Sequence, residues 1–223
     1  FNLYNILIQV MLSDILEKKL VEDNAILKYD IKDPDAKKII NFYNKHPFPN
    51  YKKDENITDL IFNTKDNIFI KELINLCDKR KRIAEFGSGT SQLSNVLASR
   101  TNSYYFALDA TFNSLRLGKD FAKRNYLNNI SFINADIFDK VFKSEVFDVI
   151  ISNGVLHHTK NPYQGFVNIL DTLKKNGYIV IGLYNSYGRI KNYIFKILSP
   201  KKTLEGYIGG GVFTNFFLFS YFL

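Results

Sequence analysis

Four polar residues, Glu85, Asp109, Asp136 and Asn153, each close a short apolar run, and a small-residue turn, Gly87-Ser88-Gly89-Thr90-Ser91, follows the first of them. Glycines admit backbone angles closed to other residues and let a ligand approach the main chain. The N–H groups that open a following helix then face that ligand. A dinucleotide fingerprint, G-x-G-x-x-G, would need a third glycine where Gln92 stands, which weakens a nicotinamide-dinucleotide reading. Asp109 lies 22 residues beyond Gly87, close to the roughly 20 expected of an acid that accepts hydrogen bonds from ribose hydroxyls. It would repel a 2′-phosphate. Asp136 suits an exocyclic amine, and Ile137 and Phe138 beside it offer an apolar wall for a ring. Glu85, just ahead of the glycines, suits a cationic group better than a pyrophosphate.

A carboxylate at a strand end is commonly a solvated charge or a cap, so the joint placement carries the argument. Apolar runs at Arg82–Phe86, Tyr104–Asp109, Ile130–Asp136, Phe147–Asn153 and Tyr178–Leu183 read as five strands. Helical periodicity separates them, with Leu93, Val96 and Leu97 in the first intervening segment and Leu117 and Phe121 in the second. Pro162 and Gly177 frame another helix. Repeated strand and helix imply right-handed crossovers and a doubly wound, mainly parallel α/β sheet with helices on both faces. Ligands of such sheets bind beyond the carboxyl ends of the strands, where all four polar residues fall.

The flanking chain is less regular. From Ser13 to Asp33, Ile15, Leu16, Leu20 and Val21 stand at helical spacing and predict a helix. Asn41 to Tyr51 carries two prolines and four aromatic rings, which predicts an extended strap across the core or a lid over a ligand. Asp66 is placed to cap a helix running to about Asp78. The organisation expected is a helical and strap segment over 1–65, a ligand-binding domain over 66–200, and an apolar tail over 201–223.

The chain has 223 residues, 46% hydrophobic and 23% charged, enough for one well-buried core. A net charge of +8 admits an anionic partner, but the lysines are scattered and no nucleic-acid-binding motif accompanies Lys79-Arg80-Lys81-Arg82. Cys77 is the single cysteine, so no intramolecular disulfide or multi-cysteine zinc site is expected, in keeping with a reducing cytosol. No metal is expected. The apolar run Phe1 to Leu12 lacks the basic flank and cleavage pattern of a signal peptide. Gly206 to Leu223 is uncharged over 18 residues, the short limit for a membrane span. Its Gly209-Gly210-Gly211, Thr214, Asn215 and Ser220 argue against one, leaving an added edge strand or a truncated end as the other readings.

From E-F-G-S-G-T-S through Asp109, Asp136 and F-D-V-I-I-S-N-G-V-L-H-H, over about residues 40 to 198, the sequence resembles the class I S-adenosylmethionine-dependent methyltransferases. F-Y-N-K-H-P-F-P-N-Y, S-N-G-V-L-H-H-T and G-L-Y-N-S-Y-G-R are similar to a bacterial subgroup of them. The resemblance implies a Rossmann-like fold and S-adenosyl-L-methionine as cofactor, whose sulfonium and ammonium fit the cationic group inferred for Glu85. By matching position, Glu85, Gly87, Ser88 and Gly89 would line its methionine part, Asp109 would hold the ribose, and Asp136 with Ile137 would meet the adenine. Asn153 and Gly154 would border the transferable methyl. Ser91 stands in place of the family's usual third glycine, and Leu173-Lys174-Lys175-Asn176-Gly177 replaces its L-K-P-G-G turn. The family's closing antiparallel strands are expected to be incomplete, because only 23 residues follow Pro200.

Methyl transfer is a displacement at an activated carbon, so alignment and exclusion of water matter most, with a base only for an acceptor that loses a proton. His157 is the candidate base; Tyr43, His158, Tyr184, Asn185 and Arg189 are candidates for acceptor contact. Strand four ends in S-N-G-V rather than N-P-P-Y or D-P-P-Y, which argues against methylation of nucleic-acid bases and for a small-molecule acceptor. A nicotinamide-dependent oxidoreductase and a non-catalytic binding protein of the same fold are the alternatives.

Overall fold

The computed structural model describes residues 10–12, 21–23, 25–31, 34–184 and 214–220. Its strands are β1 (Val21–Asp23), β2 (Ile26–Lys28), β3 (Arg82–Phe86), β4 (Tyr104–Asp109), β5 (Ile130–Asn134), β6 (Phe147–Asn153), β7 (Leu173–Tyr184) and β8 (Thr214–Ser220). Its helices are α1 (Pro34–Lys45), α2 (Ile57–Thr64), α3 (Ile68–Cys77), α4 (Gln92–Arg100), α5 (Phe112–Arg124) and α6 (Pro162–Asp171).

All eight strands form one sheet in the order β1-β2-β5-β4-β3-β6-β7-β8. The six inner strands run parallel, and β1 and β8 pair antiparallel at the two edges. This is the Rossmann-like doubly wound arrangement. After β2 the chain enters the centre of the sheet at β3, runs outward through β4 to β5 beside β2, then returns to the other side of β3 as β6 and β7. The strand order therefore reverses between β3 and β6, and a crevice opens there at their carboxyl ends.

The inner strands are apolar on both faces because helices cover both. One core cluster joins Phe86, Phe106, Phe142, Phe147 and Ile150, with Phe142 packed edge-on to Phe147 at 4.7 Å between ring centres. The other face is filled by Leu73, Cys77, Leu97, Tyr105, Leu115 and Val149. Cys77 is a packed core residue, its thiol pushed up to about 12 by burial.

The helix expected over Ser13–Asp33 is not what forms where that segment is described. Val21–Asp23 and Ile26–Lys28 make a hairpin, and β2 pairs with β5 through Leu27↔Ile133 and Lys28↔Asn134. The unpaired backbone edge of β5 and the burial of Ile26 outweigh the helical spacing. Helix α1 extends through Lys45, so the extended strap is confined to His46–Tyr51. Asn67, not Asp66, caps α3, its side chain accepting from the Ile70 N–H. Asn56 closes a reciprocal capping box with Asp59 on α2, an element the hydrophobic pattern did not suggest. Helix α6 stops at Asp171 rather than near Gly177, because the chain from Leu173 already pairs with β6.

Of the readings of the tail, the added edge strand is the one seen: β8 pairs antiparallel with β7 from Tyr184↔Thr214 to Tyr178↔Ser220. Among the described residues no helix is long and apolar enough to cross a membrane. The stretch 190–198, whose sequence predicts a further helix, lies outside them.

Candidate functional site

At the β3/β6 crevice a cavity of about 460 Å³ opens over the carboxyl ends of the strands. Its floor is the turn after β3. Gly87 and Ser88 donate backbone N–H groups to the Leu108 carbonyl at 2.8 and 3.0 Å, extending the β3–β4 ladder into the loop. Gly87 and Gly89 have φ of +74° and +55°, a region that only glycine enters without strain. Space matters as much as angle. A Cβ on Gly87 would overlap the Val155 side chain, and one on Gly89 would overlap the Phe48 carbonyl oxygen. The two glycines therefore let the loop be pressed between Val155, two residues beyond β6, and the strap.

Ser91, which precedes α4, adopts φ of +59° although it carries a Cβ, and it is fully buried. Its hydroxyl donates to the Ser88 hydroxyl at 3.0 Å. The place where the resemblance calls for a third glycine is thus one whose backbone favours glycine.

Glu85 is buried at the end of β3 and lines the cavity. Its carboxylate accepts from the Ser94 backbone N–H at 3.1 Å and from the Ser94 hydroxyl. Ser94 is the third residue of α4, so the Glu85 carboxylate already occupies the anion position at that helix's N-terminus. Burial pushes its carboxyl up to about 7, the Ser94 bonds oppose the rise, and the charge on Asp109 adds to it.

Asp109, at the end of β4, accepts from the Gly89 N–H at 2.8 Å and from the Thr111 N–H at 2.7 Å. Burial raises its carboxyl above the ordinary range despite those bonds, and Asp136 adds to the rise. Asp136 lies just beyond β5 and accepts from the Phe138 N–H, while its own N–H donates to Asp139. The Asp139 carboxyl, half-buried beside Asp136, is pushed up to about 6 by its partial burial, with the Asp136 charge adding to the rise. Ile137 and Phe138 add apolar wall next to these acids.

The strap is bound to the loop through its backbone. Thr90 donates its hydroxyl to the Pro49 carbonyl, and Gln92 donates to the Asn50 carbonyl at 3.1 Å. Tyr51 stacks on Phe121 at 4.3 Å and donates its hydroxyl to the Thr90 carbonyl. The Phe48–Pro49 bond is cis, and both residues line the cavity. Of the strap expected from sequence, the structure shows a segment that packs on the glycine loop and lines the cavity.

The cavity gathers Glu85, Gly87, Ser88, Gly89, Asp109, Asp136, Ile137, Asn153, Gly154, Tyr43 and His158 from the sequence reading. His157 is not on its wall. Leu156–His158 form a single 3₁₀ turn whose two imidazoles touch, 4.1 Å between ring centres, and of the pair His158 lines the space. Tyr184 ends β7, and its side chain, like Asn185 and Arg189, lies outside the described residues. Sequence reasoning missed Ser94 and Val155, whose roles follow from contacts across the fold rather than from any local pattern.

A family model described as a methyltransferase domain matches residues 77–206, more than half of the chain. Among solved structures, the chain resembles a Methanococcus maripaludis protein assigned as an S-adenosyl-L-methionine-dependent methyltransferase. That match has 18% identity and a TM-score of 0.53, over 79% of this chain and 98% of the other. It also resembles the 4+2 cyclase SpnF, at 16% identity and a TM-score of 0.53, over 68% of this chain and 61% of the other. A third likeness is to phosphoethanolamine N-methyltransferase 1 of Haemonchus contortus, crystallised with phosphoethanolamine and S-adenosylhomocysteine. There the identity is 15% and the TM-score 0.52, over 68% of this chain and 32% of the other. The chain spans less than two thirds of the length of the last two proteins. At these identities the likenesses establish the fold.

Proposed function

The chain belongs to the methyltransferase domain family, and we propose that it transfers the methyl group of S-adenosyl-L-methionine to a small-molecule acceptor. The observation that carries this reading is the Glu85 carboxylate seated on the N-terminus of α4. A pyrophosphate binds where helix N–H groups are open to an anion; here that place holds a carboxylate. The same carboxylate is the partner that an ammonium would seek. A cationic, phosphate-free adenosine cofactor therefore fits the cavity, and a dinucleotide does not.

In this reading Glu85 meets the amino group of the cofactor, Asp109 accepts from the ribose hydroxyls and Asp136 from the adenine amine. Each carboxylate oxygen of Asp109 already accepts one bond from a backbone N–H, which fixes its rotamer and leaves lone pairs for the ribose. Gly154 has φ of +74°, and a Cβ there would meet nothing within 4 Å, so Asn153 and Gly154 leave room at the point where cofactor and acceptor meet. When bound, the cofactor supplies an activated methyl carbon. The protein orients the acceptor, excludes water and, for an acceptor that loses a proton, takes it on His158, the histidine that lines the cavity. The fold alone does not choose the chemistry, so the test must follow the cofactor itself.

Isothermal titration with S-adenosylhomocysteine and with NAD separates the two cofactor classes. Binding of the first, abolished by Asp109→Ala, is expected; tight binding of NAD with none of S-adenosylhomocysteine would overturn the reading. Labelled cofactor incubated with a cell extract then identifies the acceptor by the molecule that carries the label.

A further inference from the structure

One apolar face in this fold is not spent on the core. Ala36, Ile39, Ile40 and Tyr43 stand at i, i+3, i+4 and i+7 on α1 and so share one face of the helix. A stripe of that kind ordinarily packs on a core. These four belong to none of the three core clusters among the described residues, and all four line the cavity instead. Phe48 continues the apolar surface from the strap and is 67% exposed, and Ile39 is 41% exposed. The helix is tied down at its far end, where Asn113 donates to the carbonyl and side chain of Asn44.

The charge around this surface is one-sided. Among the described residues Glu85, Asp109 and Asp136 line the cavity, against one lysine, Lys160, whose ammonium lies 5.4 Å from the centre of the Phe138 ring. The chain carries a net charge of +8, yet its cavity is acidic. An anionic acceptor would be desolvated against the apolar stripe without a cation on that face to pair with it, which is a selection against it. The polar needs of the cofactor are met by those carboxylates, and the stripe offers it no hydrogen-bonding group except the Tyr43 hydroxyl.

Resting on the methyl-transfer reading, we propose that the acceptor is an uncharged molecule with an apolar body, seated between the α1 stripe and Phe48 with its reacting atom toward Gly154 and His158. The occupant is small, because it shares a cavity of about 460 Å³ with the cofactor. Phosphorylated and carboxylated acceptors are selected against, because the stripe and Phe48 offer no cation to pair with them.

Saturation-transfer NMR on protein saturated with S-adenosylhomocysteine tests this with benzyl alcohol and benzoate, two rings of one size that differ in charge. Benzyl alcohol is expected to bind and benzoate to bind at least about tenfold more weakly. Ile39→Glu should abolish the benzyl alcohol signal and leave the S-adenosylhomocysteine affinity within about twofold, while Ile39→Leu keeps both. Stronger binding of benzoate, loss of neither signal in Ile39→Glu, or absence of both ligands from the wild type would overturn the proposal. So would a tenfold fall in S-adenosylhomocysteine affinity in Ile39→Glu, which would make the stripe a cover for the cofactor. If S-adenosylhomocysteine itself does not bind, the cofactor reading fails, and the two ligands are then compared on the protein alone.

Discussion

The carboxylate of Glu85 receives both the backbone N–H and the hydroxyl of Ser94, and the two residues join the end of β3 to the first turn of α4. Both are buried, so the pair couples a titrating group to the loop between them. The Ser94 bonds hold the Glu85 carboxyl down against the upward push of burial. Ser94→Ala removes the hydroxyl bond, raises that carboxyl further and protonates more of it at neutral pH. S-adenosylhomocysteine affinity should then fall about fivefold at pH 7 and recover near pH 9, with about 1 kcal/mol lost from stability. A uniform loss at both pH values, measured by calorimetry, would mean that Ser94 acts only through packing.

The stability of the protein without ligand should depend on Glu85 with a definite sign. Its carboxyl is raised from 4.5 to about 7 in the fold, so the folded state binds a proton more tightly than the unfolded chain. That contribution is fully present below about pH 4.5 and is lost as pH rises through about 7. Glu85→Gln keeps an acceptor for Ser94 and removes the titration, so its denaturation midpoint should be flatter across this window and exceed the wild type's above pH 7. A cofactor ammonium favours the ionised form, so binding to the wild type should release a proton at pH 6. Titration in buffers of different ionisation enthalpy measures that release directly.

Five of the six parallel strands and the acids at their rim were legible because each rests on a short stretch of chain. An apolar run ending in Asp109 states both the strand and the place of the carboxylate. The β1–β2 hairpin was not legible: Leu27 finds its position by pairing with Ile133, more than a hundred residues later, and that bond has no local pattern. The histidines show the same limit at smaller scale. His157 and His158 are adjacent in sequence, and only the 3₁₀ turn at Leu156–His158 decides which one faces the cavity. The strap's prolines announced an extended path, but that its carbonyls would be bonded by Thr90 and Gln92 depends on the glycine loop being close enough to reach.

Ser91 is a position where the chain carries avoidable strain. A non-glycine residue at φ of +59° costs about 1–2 kcal/mol, and its hydroxyl bond to Ser88 returns about 1 kcal/mol. Ser91→Gly should therefore be neutral or stabilising by up to about 1 kcal/mol, whereas Ser91→Ala, which keeps the strain and loses the bond, should destabilise by about 1 kcal/mol. Urea denaturation of the three proteins compares them. A clear loss in Ser91→Gly would show that the hydroxyl bond outweighs the backbone cost.

Gly89 and Gly154 both have positive φ, but they face different surroundings, and alanine at each should fail in a different way. At Gly89 the new methyl would overlap the Phe48 carbonyl, so the strap must move and its bonds from Thr90 and Gln92 are put at risk. Gly89→Ala should lose about 3 kcal/mol of stability along with cofactor binding. At Gly154 a Cβ would meet nothing within 4 Å, so only the backbone conformation is penalised, by about 1 kcal/mol. That methyl would project into the space left between cofactor and acceptor. Gly154→Ala should therefore stay folded and bind S-adenosylhomocysteine within about fivefold of the wild type, yet lose most of its transfer rate on any acceptor. The ratio of lost turnover to lost affinity is the informative quantity, measured by single-turnover transfer from labelled cofactor. If Gly154→Ala turns over normally, the meeting point of cofactor and acceptor lies elsewhere in the cavity, and the assignment of Asn153 and Gly154 to it falls.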